Sequence, residues 1–436
     1  MSPQLIAFLE TMKPIGEWLL RLWWLWFFVL LVYIARALWL AYVQEFYKRS
    51  IKWVILELRV PREVRRSPRA MEQVFMTIHA VRNSASDYQE QYWDGEVPMW
   101  FSCEMVSFGG DIHFYMRIPK VRRNHVEAAL YAQYPDIEII EATEDYIHRL
   151  PPTATELRKA GYRLFGNELI LEKRDAFPLR TYVDFEENIE ERQLDPIAAL
   201  LETFAKLDPR EHIWVQILVR PTIDDSWKKA GDKIIEELKE KTGKRRVLSP
   251  LGEFIMIDRS PGDVEVMKAV DRNIGKPGFH SIVRYLYMAP QEIYSASFGR
   301  RSVLSSMNQY ASEQLNRFKH NTRAWTLAKI WYRPYLFPKR RRLAREERMY
   351  ENYRKRQLYA DTFMEAVWRM KFFYWGFKAR QWSRMVLNVE ELATICHLPM
   401  FVVLTGPLMK RVESRKIGPP AGLAIYGKEG EKLPVK

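Results

Sequence analysis

With 436 residues, the chain is long enough for two or three domains, each with a sizeable core. Only two cysteines occur, Cys103 and Cys396, and their wide separation argues against a disulfide framework and fits a reducing cytoplasm. The formal net charge of +14 excludes an acidic, self-solvating chain and points to an anionic partner, either nucleic acid or the acidic inner leaflet of a membrane.

The first predicted element is residues 22–43, LWWLWFFVLLVYIARALWLAYV, with Arg36 as its single charge. A helix of this length rises roughly 33 Å, enough to cross a hydrocarbon core of about 30 Å. Arg36 lies off centre, where a long side chain can snorkel toward the interface. Four Trp and two Tyr in the stretch suit headgroup depth. Two other readings compete with an anchor. Ala35-Arg36-Ala37 formally fits a signal-peptide cleavage site, but the leader before it is long and carries Glu10 and Glu17. A buried core helix would need more apolar chain around so many Trp than the sequence supplies. The expectation is one transmembrane helix. Residues 1–21 carry only Lys13 and Arg21, whereas Lys48, Arg49, Lys52, Arg59, Arg62, Arg65, Arg66 and Arg69 follow the span. Positive-inside logic places the N-terminus outside and residues 44–436 in the cytoplasm.

Beyond the anchor the grammar is mixed. Residues 53–60 alternate Val54, Leu56, Leu58 and Val60 as a strand closed by Pro61. Ser67-Pro68 then starts a helix with Met71, Val74, Phe75 and Ile78 on one face. A polar loop, 83–98, follows. Strands at 99–107 and 112–118 flank Phe108-Gly109-Gly110-Asp111, a hairpin signal. An amphipathic helix at 121–134 and a short strand at 137–140 complete a β-α-β-β-α-β order, the split-βαβ or ferredoxin-like plan.

Pro151-Pro152 marks a boundary, after which the pattern loosely repeats. Strands are expected at 162–172, 181–185, 212–220 and 279–288. Helices are expected after Asp195-Pro196, over 226–242, near 262–273 and from about 290 to 318. Between Arg323 and Arg384 the sequence holds 17 Lys and Arg against 5 Asp and Glu, with 16 aromatic residues. Residues 386–436 look extended and rich in Pro and Gly. The fold class is therefore α+β: a transmembrane helix, two ferredoxin-like modules and a basic, aromatic helical C-terminal region. The expected domains are 1–47, 50–150, 160–320, 321–385 and 386–436.

Catalytic signatures are sparse. Lys241-Thr242-Gly243-Lys244 resembles the end of a P-loop, but it lacks the upstream glycine and has Arg245 where a hydroxyl belongs, so a helix C-cap is the better reading. No dinucleotide glycine pattern, nucleophile elbow or H-E-x-x-H occurs. His113 with His125, and the adjacent Cys396-His397, are weak candidates for a ligand pair or a thiol–imidazole pair. No catalytic residue, cofactor or metal site is expected. Lys339, Arg340, Arg341, Arg342, Arg354, Lys355 and Arg356 are candidate contacts for phosphate or anionic lipid, against the plainer reading of a solvated helix packed on the body or a partner.

Three stretches taken together resemble a known family. They are Phe114 to Lys120 running on to Ile139, then Asn308-Gln309-Tyr310 with Leu315 to Lys319, and finally Leu387 to Thr394 with His397-Leu398-Pro399, Glu413 to Lys416 and Pro419-Pro420. The whole is similar to the membrane-anchored region ahead of the motor domain in bacterial type IV secretion and conjugative DNA-transfer ATPases. The resemblance does not extend to a Walker motif, so ATPase activity is not implied. It implies instead an accessory, non-enzymatic component of the bacterial inner membrane that docks a separate P-loop ATPase. The docking candidates are Asn388, Glu390, Glu391, Leu392, His397 and Pro399. The partners to expect are the membrane, that ATPase, nucleic acid or anionic lipid, and further copies of the chain. A membrane-tethered nucleic-acid binder using residues 323–384 is the alternative.

Overall fold

The computed structural model describes residues 21, 23–60, 66–83, 87–185, 195–223, 225–240, 243–249, 252–258, 260–322, 324–327, 337–356, 358 and 385–400. The expected outer tail, most of the second half of the basic-aromatic segment and the tail beyond residue 400 lie outside these residues. The chain is mixed α and β, with an apolar N-terminal helix and one large antiparallel sheet.

Helix α1 (Trp23–Ser50) runs directly into β1 (Trp53–Arg59), whose burial alternates along its length as its sequence alternates. Then come α2 (Arg69–Ala80), α3 (Tyr88–Tyr92), β2 (Phe101–Phe108), β3 (Asp111–Pro119), α4 (Arg123–Gln133) and β4 (Glu138–Glu141). Gly109 and Gly110 both have positive φ, 58° and 93°, between the paired Phe108 and Asp111, as a two-residue hairpin turn requires. A short α5 (Ala154–Lys159) leads to β5 (Tyr162–Leu171), α6 (Tyr182–Phe185), α7 (Ala198–Ala205) and β6 (His212–Pro221). Next are α8 (Ser226–Glu240), a hairpin of β7 (Gly243–Ser249) and β8 (Gly252–Asp258), α9 (Pro261–Ile274), β9 (Gly278–Pro290) and α10 (Ala296–Met307). The last elements are β10 (Phe318–His320), α11 (Pro338–Arg354), β11 (Met385–Asn388) and α12 (Val389–Ile395).

The main path of the sheet is β10-β5-β9-β6-β2-β3-β1-β4, with β11 added alongside the start of β9. Each half repeats one plan. Counted within its half, the strands lie in the order fourth, first, third, second, and helices connect the first to the second and the third to the fourth. The halves join through their second strands, where β2 pairs with β6 from Phe101↔Val219 to Phe108↔His212. One continuous sheet thus replaces an exposed edge on each half. Helices α2, α4, α7, α10 and α12 cover one face around a core that runs through both halves. On the other face α5 and α11 cover Trp214, Tyr146, Leu286 and Met288.

Several sequence expectations fail for identifiable reasons. Residues 181–185 are not a strand, because Tyr182–Phe185 is a helical turn whose Tyr182 N–H donates to the Thr394 hydroxyl at 3.0 Å. The helix expected over 290–318 is confined to Ala296–Met307, capped by the Ser295 hydroxyl, which accepts from Phe298 N–H. The stretch read as a C-cap at Gly243 opens the β7–β8 hairpin, which periodicity missed. Residues 385–395 are not extended tail; they form β11 and α12, and both are buried.

Candidate functional site

The C-terminal candidates gather at α12. Asn388 caps the helix: its Oδ1 accepts from Glu391 N–H at 2.7 Å, and Glu391 returns the bond from Asn388 N–H at 2.8 Å. The second Glu391 oxygen accepts from Leu179 N–H at 2.8 Å. Burial pushes the Glu391 carboxyl up to about 8, against those two backbone donors. Glu390 faces the other way, to Arg272 at 2.9 Å and Lys276 at 2.6 Å, with the Thr181 hydroxyl donating at 2.5 Å. Burial alone would raise its pKa, but Lys276, Thr181 and Arg272 together hold it below the usual carboxylate range.

His397 contacts Asp195 Oδ1 through Nε2 at 2.8 Å and the Ala393 carbonyl through Nδ1 at 2.9 Å. Asp195 also accepts from Met400 N–H at 2.7 Å. Against the burial that would raise it, the His397 charge and these bonds lower the Asp195 pKa. Leu392 and Pro399 are buried as well. All six candidates are therefore interior. They do not form a docking surface in this structure; they close the fold, because α12 and β11 complete the core between α2 and β9. Cys396 ends beside Cys103 of β2, and their hydrogen bond, with burial, pushes the Cys103 thiol well above its ordinary range. Wide separation in sequence gave no hint of that contact.

The basic candidates lie on and just beyond α11, and they divide. Arg356 is 3% exposed, at a positive φ of 49°. Its guanidinium donates to Glu104 at 2.7 and 2.9 Å and to Asp145 at 2.6 and 2.9 Å. Arg354 turns inward onto the carbonyls of Ile147, Leu150 and Pro151. Arg356 is not placed to touch phosphate, and that assignment is corrected; Arg354 is half-buried. Arg342 pairs with Glu346 at 2.7 Å and Lys355 with Glu351 at 2.5 Å, each one helical turn apart. Lys339, Arg340, Arg348 and Lys355 are exposed, while Arg341 and Arg342 are half-buried.

Beneath α11 runs a polar row that sequence reasoning missed. Glu104, Gln216, Arg284 and Glu168 sit on neighbouring strands in register. Arg284 donates to Glu168 at 2.7 and 2.9 Å and to Gln216 at 3.2 Å, and Gln216 passes a bond on to Glu104 at 3.0 Å. Burial would raise the Glu104 pKa, yet the charge and hydrogen bonds of Arg356 bring it below normal. The available signal was a polar residue interrupting an apolar strand, as in the IWVQILV of β6.

The outer face of β1, β3 and β4 holds a groove of about 490 Å³. His113 Nδ1 lies 2.9 Å from Glu57 and its Nε2 is 3.2 Å from Asp111. The hydrogen bond to His113 lowers the Glu57 pKa. Arg59, Glu141, Glu144 and Arg149 complete a mixed-charge lining suited to a small polar ligand. His125 is not among the lining residues. Among the described residues no group of His, Cys, Asp and Glu is arranged to hold a metal.

A family model matches residues 31–411, most of the chain. The chain belongs to the family described as domain of unknown function (DUF8128). The matched span of this DUF8128 chain takes in the second half of α1 and runs past α12, so it covers the sheet and the elements that close it. No curated protein matches the chain.

Proposed function

We propose that this chain is a non-enzymatic, single-pass component of the bacterial inner membrane, part of a type IV secretion or conjugation-like machine for DNA or protein transfer. Its N-terminus lies outside, its body lies in the cytoplasm, and it docks a P-loop ATPase. The observation that carries the reading is α1. Within Phe27–Ser50 an 18-residue window has a mean hydropathy of 1.8, and only 6% of that window is buried against the rest of the chain, so its apolar surface needs an apolar environment from elsewhere. The arginine and lysine run after it supports the orientation. The strand order of each half, fourth-first-third-second with two crossing helices, supports reading each as a ferredoxin-like module. Such modules host many activities, and here the function rests on the anchor and the family resemblance.

Because the 388–399 candidates are interior, ATPase contact belongs to exposed surface, and Lys339, Arg340 and Arg348 are exposed basic residues of α11. The test is a pull-down of the full chain from detergent-solubilised membranes with and without nuclease. Recovery of a P-loop ATPase in both samples is expected. Recovery of nucleic acid, with partners lost after nuclease, would favour the second reading, a membrane-tethered nucleic-acid binder. Those same basic residues motivate it, and it requires an affinity that falls steeply with salt.

A further inference from the structure

The polar loop that follows α2 does not hang in solution. It grips α1. Gly95 adopts a positive φ of 67° and lies so close to α1 that a Cβ there would collide with the Val43 backbone. Val43 is buried. Seven residues earlier, about 10 Å along the helix axis, the Arg36 guanidinium donates to the Tyr92 hydroxyl, through Nε at 3.1 Å and through Nη2, and sits 4.7 Å from the centre of the Tyr92 ring. The Trp39 indole N–H donates to the Tyr92 carbonyl at 2.7 Å, and the Trp39 and Trp93 rings meet edge to face at 6.2 Å.

This contact fixes α3 and Trp93 beside the one charge of the apolar stretch. The attached segment also carries Gln89, Glu90, Gln91 and Asp94, which cannot sit among acyl chains without a large cost. Yet the same segment turns Tyr88 and Trp93 outward, 65% and 71% exposed, with the Tyr88 and Tyr92 rings stacked at 4.4 Å. Polar side chains and exposed amphipathic rings at one level describe headgroup depth, where an apolar ring body and a polar tip are both accommodated.

We propose that Tyr88–Trp93 is a membrane-surface foot, seated in the headgroup layer of the bilayer, and that it sets the cytoplasmic boundary of the span at Arg36–Trp39 instead of Val43. The proposal rests on reading α1 as the membrane anchor. The hydrocarbon-crossing part of α1 then ends at Ala35. Arg36 has no need to snorkel alone, because Tyr92 meets it at the boundary.

The test places a polarity-sensitive, quenchable fluorophore on single introduced cysteines in the full chain, reconstituted in vesicles of zwitterionic and anionic phospholipid. The sites are Trp93→Cys, Tyr88→Cys and Phe28→Cys; the two native cysteines are buried. Nitroxide lipids labelled at the headgroup or at the acyl-chain end serve as quenchers, with iodide as the aqueous one. The expected result is several-fold stronger quenching by headgroup nitroxide than by the deep nitroxide at positions 93 and 88, and the reverse at position 28. Should 93 and 88 respond to iodide alone while 28 responds to the deep nitroxide, the anchor stands and the foot is overturned. Should 28 also respond only to iodide, the anchor reading falls and the foot falls with it. Two labelled foot positions keep the result readable if one substitution disturbs the fold.

Discussion

Arg356 carries its charge into the interior, and that decides what its removal does. Arg356→Met leaves Glu104 buried without its main partner, so a loss of about 3–5 kcal/mol is expected in chemical denaturation. Arg340→Ala, on the exposed side of α11, should stay within about 0.5 kcal/mol of the parent. Equal losses from the two would show that Arg356 is not the internal clasp described here. Glu391 gives a second residue-scale expectation. Its carboxyl is raised in the folded chain from 4.5 to about 8, so the folded state holds the proton more tightly than the unfolded chain. Its contribution is complete below about 4.5 and is lost as pH rises through about 8. Stability of the chain should therefore fall across that window, and Glu391→Gln should flatten the fall. Both residues were visible in the sequence as charges, but not as buried ones. Arg356 belongs to a run of arginines, and nothing in the run marks which member faces Glu104, 252 positions away.

At the scale of elements, periodicity found what local pattern encodes. The alternation of Val54, Leu56 and Leu58, the 69–80 helix and the Gly109-Gly110 hairpin all read directly, because each is decided by neighbours in the chain. Elements whose form depends on distant partners did not. The Tyr182 turn is held by Thr394, and β11 exists because β9 has a free flank where β5 ends, so a stretch that looked like tail became interior. The Leu387–Pro399 stretch was read as a surface for a partner, and the structure places it in the core. Loop 83–98 was likewise read as plain connection, although Gly95 lets it touch α1. Gly95→Ala combines an unfavourable φ with a clash on Val43. It should loosen α1 from the body, read as faster amide exchange at residues 87–96 with the exchange of β2 and β6 unchanged. Equal acceleration everywhere would show that the loop is not a local clamp.

For the whole molecule, the join between β2 and β6 matters most. Two halves with the same strand order share one sheet and a core that passes between them. They should unfold together, with tryptophan fluorescence and far-ultraviolet circular dichroism giving coincident urea transitions for the body. Two separated transitions would mean that the halves are independent modules, as the sequence-based boundaries at 50–150 and 160–320 suggested. The sequence hinted at the repeat only as a loose recurrence of strand and helix. The shared sheet was hidden because strand pairing across about 110 residues leaves no local mark.

The placement of β11 also orders events in time. Helix α1 is made before the body, and its neighbour β1 follows within a few residues. The strand that flanks β9 and the helix that seals the core arrive some 340 residues later, roughly 20 to 70 seconds at about 5–20 residues per second of synthesis. Through that interval the nascent body has its core open along α2 and β9. A cell making this chain therefore has to protect an unfinished apolar face until residue 395 has emerged from the ribosome.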